Sequence, residues 1–210
     1  MKLVLISDTH GLHSKVSVPD GDILIHAGDL TNVGKAMEIA EAGEWLRSLP
    51  HKHKVVIAGN HDWGFQKDLG DALQNLGEDI VYLQDSEVTI EGLRIYGSPW
   101  QPFFCNWAFN VPRGMLKPYW DKIPEGLDVL ITHGPPSGIL DQSAPHLHSE
   151  CLGDAELFEA VERVNPKVHV FGHIHGGYGS AQFGSGTKFF NASICNEAYR
   201  PINKPWEIEL

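Results

Sequence analysis

Cysteine is scarce in this 210-residue chain, and Cys105, Cys151 and Cys195 show no CxxC spacing. An odd number of cysteines without paired spacing indicates neither a disulfide framework nor a thiolate zinc site. Long hydrophobic runs are absent as well, since the apolar run at residues 3–6 is too short for a signal-peptide core or a membrane span. We therefore expect a cytoplasmic protein with no membrane partner.

Basic residues are in deficit, with 16 Lys and Arg against 27 Asp and Glu and a net charge of −11. Gripping a nucleic-acid backbone needs clustered Lys and Arg, so long nucleic acids are excluded as expected partners. The composition, 42% hydrophobic and 20% charged, is that of an ordinary globular protein. We expect a single domain over residues 1–210.

Short apolar runs that end in a small or polar residue predict buried strands followed by functional loops. They span residues 2–7, 22–27, 54–58, 128–132 and 167–171. Helical spacing at residues 35–49 and 154–164 alternates with these runs.

Antiparallel segments accompany the buried runs. A hairpin turn is predicted at residues 91–92, a second at 184–186, and a last edge strand at 206–210. Residues 98–118, with many aromatic residues and prolines, are expected to form a long ordered loop. The whole pattern predicts an α/β fold, a four-layer α/β/β/α sandwich of two mixed sheets flanked by helices.

Five polar clusters stand at or just beyond the ends of the apolar runs. They are Asp8-Thr9-His10, Gly28-Asp29, Gly59-Asn60-His61-Asp62, Thr132-His133-Gly134 and Gly172-His173-Ile174-His175. The carboxyl ends of parallel strands converge on one crevice, so these groups can meet there. Imidazole with carboxylate suits manganese, iron, zinc or cobalt in a catalytic site. Two neighbouring ions need a shared anionic ligand, and Asp29, alone after its strand, is the natural bridge.

The motifs DxH, GD, GNHD, H and GHxH follow in this order between residues 8 and 175. This order resembles the signature of the calcineurin-like metallophosphoesterase superfamily. Residues 95–102, 132–136 and 191–193 also look like its small metallophosphoesterase-domain-containing subgroup. The resemblance implies two divalent ions, with manganese expected first and iron, zinc, cobalt or nickel as alternatives.

The resemblance also implies roles for individual residues. One ion would be bound by Asp8, His10, Asp29 and His175, and the other by Asp29, Asn60, His133 and His173. Asn60 and His61 would bind the substrate, with His61 assisting the leaving oxygen and Asp62 placed to orient it. Asn32 stands where protein Ser/Thr phosphatases carry Asp-Arg, which argues against a protein substrate.

The expected activity is hydrolysis of a small phosphodiester, with a cyclic nucleotide among the candidates, by attack of a hydroxide that bridges the two metal ions. Two alternatives stay open: a phosphomonoesterase of the same fold, and a metal-stabilised nucleotide-binding or scaffold protein with little turnover. The partner is in each case a small phosphoester or nucleotide. The sequence leaves the oligomeric state open.

Several other residues have two interpretations. The aromatic residues Trp100, Phe103, Phe104, Trp107 and Phe109 are expected to pack as a loop over the sheet edge, with nucleobase stacking as the alternative. His146 and His148 are alternatives for lining a substrate pocket, whereas His26 is interpreted as a buried structural histidine.

Overall fold

Two β-sheets lie face to face in a computed structural model that describes residues 1–143, 151–183 and 186–210. In chain order the strands are β1 (Lys2–Ile6), β2 (Ile23–His26), β3 (His53–Val56), β4 (Val81–Tyr82), β5 (Ser86–Ile90), β6 (Leu93–Ser98), β7 (Gln101–Pro102), β8 (Asn110–Val111), β9 (Val129–Thr132), β10 (Val168–Phe171), β11 (Gly179–Phe183), β12 (Thr187–Asn191) and β13 (Trp206–Glu209). The helices are α1 (Ala36–Ser48), α2 (Trp63–Lys67), α3 (Leu69–Leu76), α4 (Lys117–Trp120) and α5 (Ala155–Val164).

Both large sheets have a parallel centre and antiparallel edges. The first has the order β13-β1-β2-β3-β4, in which only the β13–β1 pair is antiparallel. The second has the order β11-β12-β10-β9-β6-β5, with antiparallel pairs at its two ends. Parallel centres bring the carboxyl ends of several strands to one edge of each sheet.

Alternation of side chains along β1 builds two separate layers of the core. Leu3 and Leu5 point between the two sheets, where they share a cluster with Ile131 and Val170 of the second sheet. The intervening residues of β1 point the other way and pack, like much of the first sheet's outer face, against α1, α2 and α3. The outer face of the second sheet is covered by α4 and α5. The predicted α/β/β/α sandwich of two mixed sheets is therefore confirmed.

The predicted buried strands lie within two residues of the observed ones at both ends. The last strand, β13, is an edge strand as predicted. At residues 91–92 the predicted hairpin forms, with Glu91 and Gly92 both at positive φ, 51° and 86°. Such angles are typical of the tight turns that join antiparallel strands. The turn predicted at residues 184–186 and the two histidines His146 and His148 lie wholly or partly outside the described residues.

The interpretation of residues 98–118 as one long loop is wrong in detail. Two short parallel strands, β7 and β8, lie inside it, and α4 begins at its end. The Asn110 side chain supports this arrangement, since it accepts a hydrogen bond from Gln101 and donates to the carbonyls of Phe104 and Cys105. A two-residue strand is too short to show periodicity in a sequence. Among the described residues, no helix is long and apolar enough to cross a membrane.

Candidate metal centre

Loops after five strands from both sheets meet at one edge of the sandwich. Asp8 and His10 follow β1, Asp29 follows β2, Asn60 and His61 follow β3, His133 follows β9, and His173 and His175 follow β10. An isolated parallel bridge between Ser7 and Ser193 joins the two sheets beside these loops. Asp8 and His173, 165 positions apart in sequence, therefore come into direct contact.

The first group of potential ligands consists of Asp8, His10 and His175, whose ligand atoms lie within 4.8 Å of one another. The Nε2 atom of His175 is 3.4 Å from Asp8 Oδ1, and the Nε2 atom of His10 is 3.2 Å from His175 Nε2. Asp8 is fully buried, as is most of His10. One carboxylate and two imidazoles thus face a common point.

The second group consists of Asp29, His133 and His173, again within 4.8 Å. Asn60 adds an amide oxygen, because its Oδ1 atom is 2.9 Å from His133 Nε2 and 2.8 Å from His173 Nδ1. The four residues combine two imidazoles, a carboxylate and an amide oxygen.

Asp29 lies between the two groups. Its Oδ2 atom is 3.7 Å from His10 Nε2 on one side and 3.4 Å from His133 Nε2 on the other. Its Oδ1 atom accepts a hydrogen bond from the backbone N–H of His61 at 2.8 Å, which fixes the direction of the carboxylate. This geometry is the one that a ligand shared by two cations requires.

The backbone at the centre is strained. Four residues other than glycine have positive φ angles here: Asp8 at 55°, His10 at 45°, Asp29 at 55° and His173 at 66°. The left-handed region is uncommon for such residues and costs of order 1–3 kcal/mol each. Strain of this kind clusters at functional sites, and the sequence gives no direct sign of it.

Two glycines allow the loops to approach so closely. A Cβ atom at Gly59 would collide with the carboxylate of Asp29 and with the His133 ring, and one at Gly172 would collide with Asp8 and Ser7. The sequence alone marks both glycines only as residues that permit tight turns. In the structure they make room for the functional side chains themselves.

The buried carboxylates and imidazoles of the centre shift one another's pKa values. Burial alone would raise the pKa of Asp29, but His133 outweighs it and holds the pKa well below its usual range. For His133, burial lowers the pKa while the neighbouring Asp29 raises it, with the net result at about 9. Both ring nitrogens of His133 accordingly face oxygen acceptors, Ala27 O at 2.9 Å and Asn60 Oδ1 at 2.9 Å. Two buried carboxylates therefore attract positive charge to this edge of the sheets.

The donor set fits divalent metal ions. Burial lowers the pKa of His10 to about 4 and that of His173 to about 3, so both rings are neutral and have a lone pair to offer. The Nδ1 atom of His10 is buried and has no hydrogen-bond partner among the described residues, while its Nε2 atom faces another imidazole nitrogen. Imidazole, carboxylate and amide oxygen together suit manganese, iron, zinc or cobalt. The structure brings all seven predicted metal ligands into this centre.

His61 borders the first group but is held differently from the expectation. Its Nδ1 atom is 2.7 Å from the backbone oxygen of Asn32, and its ring stacks on Trp107 with a centroid distance of 4.0 Å. Its Nε2 atom is consequently the ring nitrogen that remains available. With His10 and Asp29, His61 forms a third set of potential ligands.

Asp62 does not hold the His61 ring, contrary to the sequence interpretation. Its carboxylate accepts hydrogen bonds from the backbone of Leu30, Thr31 and Gly59 and from the Thr31 hydroxyl, at 2.7 to 3.2 Å. These donors surround a fully buried carboxylate and turn it away from the ring. Burial raises its pKa to about 6, an effect that Asp29 reinforces. Asp62 therefore ties the loop after β2 to the loop after β3.

Two residues at the centre, Ser193 and Tyr199, were not assigned a role from the sequence. The Ser193 hydroxyl donates to Asp8 Oδ2 at 2.8 Å, beside the N–H of His173, which donates to both Asp8 oxygens at 3.0 and 3.1 Å. Tyr199 lies beside the imidazoles of His10 and His175, with centroid distances of 4.8 and 5.2 Å. No motif marks Tyr199, whereas residues 191–193 stand out only through the subgroup resemblance.

The aromatic stretch divides between the two interpretations. Phe109 is fully buried, and Trp100 packs against Phe109 and Tyr119, as expected for a packed loop. Phe103 and Phe104 are 60% and 56% exposed.

The buried His26 contacts the Thr9 hydroxyl at 3.0 Å, in agreement with a structural role.

Comparisons with known proteins agree with this geometry. A family model described as calcineurin-like phosphoesterase matches residues 1–177. Metallophosphoesterase domain-containing protein 1 of Homo sapiens is 45% identical over 233 residues, covering 100% of this chain and 71% of that protein. A UPF0046 protein of Caenorhabditis elegans is 40% identical over 218 residues, covering 98% of this chain and 73% of its own. The solved structure of TT1561 from Thermus thermophilus shares the fold, with a TM-score of 0.60, 14% identity, and 90% and 88% of the two chains covered.

Proposed function

This chain belongs to the calcineurin-like phosphoesterase family, and we propose that it is a dinuclear metal-dependent phosphodiesterase acting on a small diester such as a cyclic nucleotide. The family supports a phosphoric ester hydrolase. The observation that carries the dinuclear assignment is the position of Asp29, with one carboxylate oxygen 3.7 Å from His10 and 3.4 Å from His133.

We propose the same metal ligands as those expected from the sequence. Asp8, His10, Asp29 and His175 would hold one ion, and Asp29, Asn60, His133 and His173 the other. Manganese is the expected metal, with iron, zinc, cobalt or nickel as alternatives. When bound, the ions would acidify water and neutralise charge on a phosphoryl group.

The residues of the chain itself position the substrate. Because the Nδ1 atom of His61 is committed to the carbonyl of Asn32, its Nε2 atom is the one available to the phosphate and the leaving oxygen. The Trp107 ring keeps the imidazole in that plane. Asn60 would contact the substrate next to its ion, and Asp62 acts indirectly, by holding the turn that carries Asn60 and His61.

A diester is favoured over a monoester by the charge around the centre. A monoester dianion would gain from a free guanidinium or ammonium group nearby. A cavity lined in part by His173 and His175 adjoins the centre. The one lysine or arginine that lines it, within the described part of the chain, is Arg113, and its guanidinium donates to the carbonyls of Leu152 and Gly153. A diester carries one negative charge and has less need of such a partner.

The test is hydrolysis of bis-p-nitrophenyl phosphate and of p-nitrophenyl phosphate by the manganese-loaded protein. We expect the diester to be turned over faster, and a chelator to abolish both activities. A faster rate on the monoester would replace the proposal with a phosphomonoesterase. If the metal-loaded protein bound phosphate but hydrolysed neither ester, a binding or scaffold role would replace catalysis.

We also propose that residues 1–210 form one domain that works in the cytoplasm. The two sheets share one continuous apolar cluster, which supports a single folding unit. All three cysteines are free, and Cys105 and Cys151 are exposed, as is usual in a reducing compartment. One cooperative unfolding transition, together with thiols that stay reduced in cells, is the expected result.

A further inference from the structure

A cavity of about 360 Å³ adjoins the candidate metal centre and extends beyond the two groups of ligands. The segment from His173 to His175, with one proposed ligand from each group, lines it, so it begins where a bound phosphoryl group would lie. Two segments of the lining can be treated as separate walls: Phe103 and Phe104 belong to the first, and Glu197 and Tyr199 to the second. The second wall lies beyond residue 177, where the family match ends.

Large aromatic rings in these walls are open to solvent. Phe103 is 60% exposed, Phe104 56% and Tyr199 49%. Leaving such rings in water forfeits the free energy that their burial would bring. The Phe104 ring stands nearly perpendicular to the His173 ring, with a centroid distance of 6.1 Å. The exposed rings therefore continue directly from the proposed ligands.

An asparagine side chain holds each wall in place. Asn110 accepts from the N–H of Phe104 and donates to its carbonyl, at 3.3 and 3.1 Å. On the other side, Asn196 Oδ1 accepts from the N–H groups of Ala198 and Arg200, both at 3.0 Å. The walls are thus ordered before any ligand arrives, which lowers the entropic cost of binding.

The wall that carries Tyr199 is coupled to the metal centre. The backbone oxygen of Asn196 is 3.1 Å from Nδ1 of His175, so the same turn positions a proposed ligand and the aromatic ring. Tyr199 adopts a left-handed conformation with φ of 53°. Strain at a non-glycine residue in a tight turn is often retained for function.

We propose that this cavity is a specificity subsite for a flat aromatic substituent of the phosphoester, namely a nucleobase lying among Phe103, Phe104 and Tyr199. The proposal rests on the phosphoesterase function above, since it places the phosphoryl group at the adjacent centre. Every nucleobase has a flat aromatic face, so any of them can stack on an aromatic side chain. Glu197 distinguishes a nucleobase from a plain aryl group, because its carboxylate accepts hydrogen bonds from ring or amino N–H groups.

The experiment measures dissociation constants by calorimetry on the manganese-loaded protein, with inorganic phosphate, phenyl phosphate and adenosine 5′-monophosphate as ligands. We expect the nucleotide to bind at least about tenfold more tightly than phosphate, the scale of one stacking contact, and phenyl phosphate to fall between them. Crystals soaked with adenosine, without phosphate, should show the base in the cavity.

Substitutions then test the walls. Phe104→Ala and Tyr199→Ala should each reduce the ratio of nucleotide to phosphate affinity severalfold, and Tyr199→Phe should keep it, because the ring remains. Glu197→Ala should lower the affinity for the nucleotide but not for phenyl phosphate. Met115→Ala, at an exposed position outside the cavity, is the matched control and should match the unsubstituted protein. Melting temperatures establish that every variant is folded.

The outcomes separate this inference from the proposed function. If phosphate binds and the nucleotide binds no better, the subsite is refuted while the phosphoesterase proposal stands. If phenyl phosphate binds as well as the nucleotide, the assignment to a nucleobase is overturned. If phosphate itself fails to bind the metal-loaded protein, the proposed function fails.

Discussion

Replacing Asp29 by Asn tests the arrangement of the metal centre most directly. The substitution removes one negative charge and keeps the shape of the side chain. The amide oxygen of Asn can still accept the hydrogen bond from the His61 N–H, now 2.8 Å from Asp29 Oδ1. We therefore expect the loop to keep its conformation while the centre loses its shared anion.

The expected loss in metal affinity can be estimated from the distances. Asp29 Oδ2 lies 3.7 Å from His10 Nε2 and 3.4 Å from His133 Nε2, so a cation held by either ring is close to the carboxylate. Two unit charges about 4 Å apart interact by about 4 kcal/mol at an effective dielectric constant near 20, which is a lower bound for a divalent ion. Lost once for each ion, this corresponds to binding weakened by at least about a thousandfold at both positions.

Metal content after dialysis against micromolar manganese, and titration calorimetry, measure this effect. Two ions per chain are expected for the natural sequence and fewer than one for Asp29→Asn. Asp8→Asn should mainly weaken one ion, since Asp8 belongs to a single group of ligands. Asp141→Asn is the control, a buried carboxylate whose partners are the backbone N–H groups of Gly138 and Gly153. An Asp29→Asn variant that kept one ion at full affinity would show that the carboxylate is not shared, and the dinuclear argument would be refuted.

Three other substitutions have defined outcomes. His61→Ala should keep both ions, because its backbone N–H still supports Asp29, but should slow diester turnover by about a hundredfold or more; loss of an ion would instead make His61 a ligand. Gly59→Ala should lower metal content and destabilise the protein by about 1–3 kcal/mol in urea unfolding, because its Cβ would overlap Asp29; unchanged metal content would contradict the packing argument. Leu5→Ala, fully buried between the sheets, should cost about 2–5 kcal/mol, whereas Met37→Ala, at 69% exposure, should cost under about 0.5 kcal/mol; equal costs would refute the assigned core.

Strands buried on both faces could be predicted from the sequence because their composition is governed by burial alone. Residues 128–132 and 167–171 are apolar runs bounded by charge, and β9 and β10 follow them closely. The polar residues after such strands could be assigned to one site, because parallel strands end at a common edge. Helices α2 and α3 were not predicted. They are short, each has a glycine as its second residue, and α3 is capped by Asp68, whose side chain accepts a hydrogen bond from the N–H of Asp71.

Side-chain direction is what the sequence could not supply. The GNHD motif places Asp62 next to His61, yet only the surrounding N–H donors decide that its carboxylate turns toward Gly59 and Thr31. For the same reason the role of Asn32 was invisible, because it uses a backbone oxygen and not its side chain. A tight turn places Tyr199 beside the centre, and no periodic pattern in the sequence predicts that turn.

The centre draws its donors from both sheets, since Asp8 and Asp29 belong to the first and His133 and His173 to the second. Ions held there would stabilise the pairing of the sheets, because they bind the folded chain and not the unfolded one. Because this coupling is reciprocal, a change that destabilises the packing between the sheets also lowers the affinity for the ions. A substitution in the apolar layer between the sheets is therefore expected to change metal affinity as well, even where it touches no ligand.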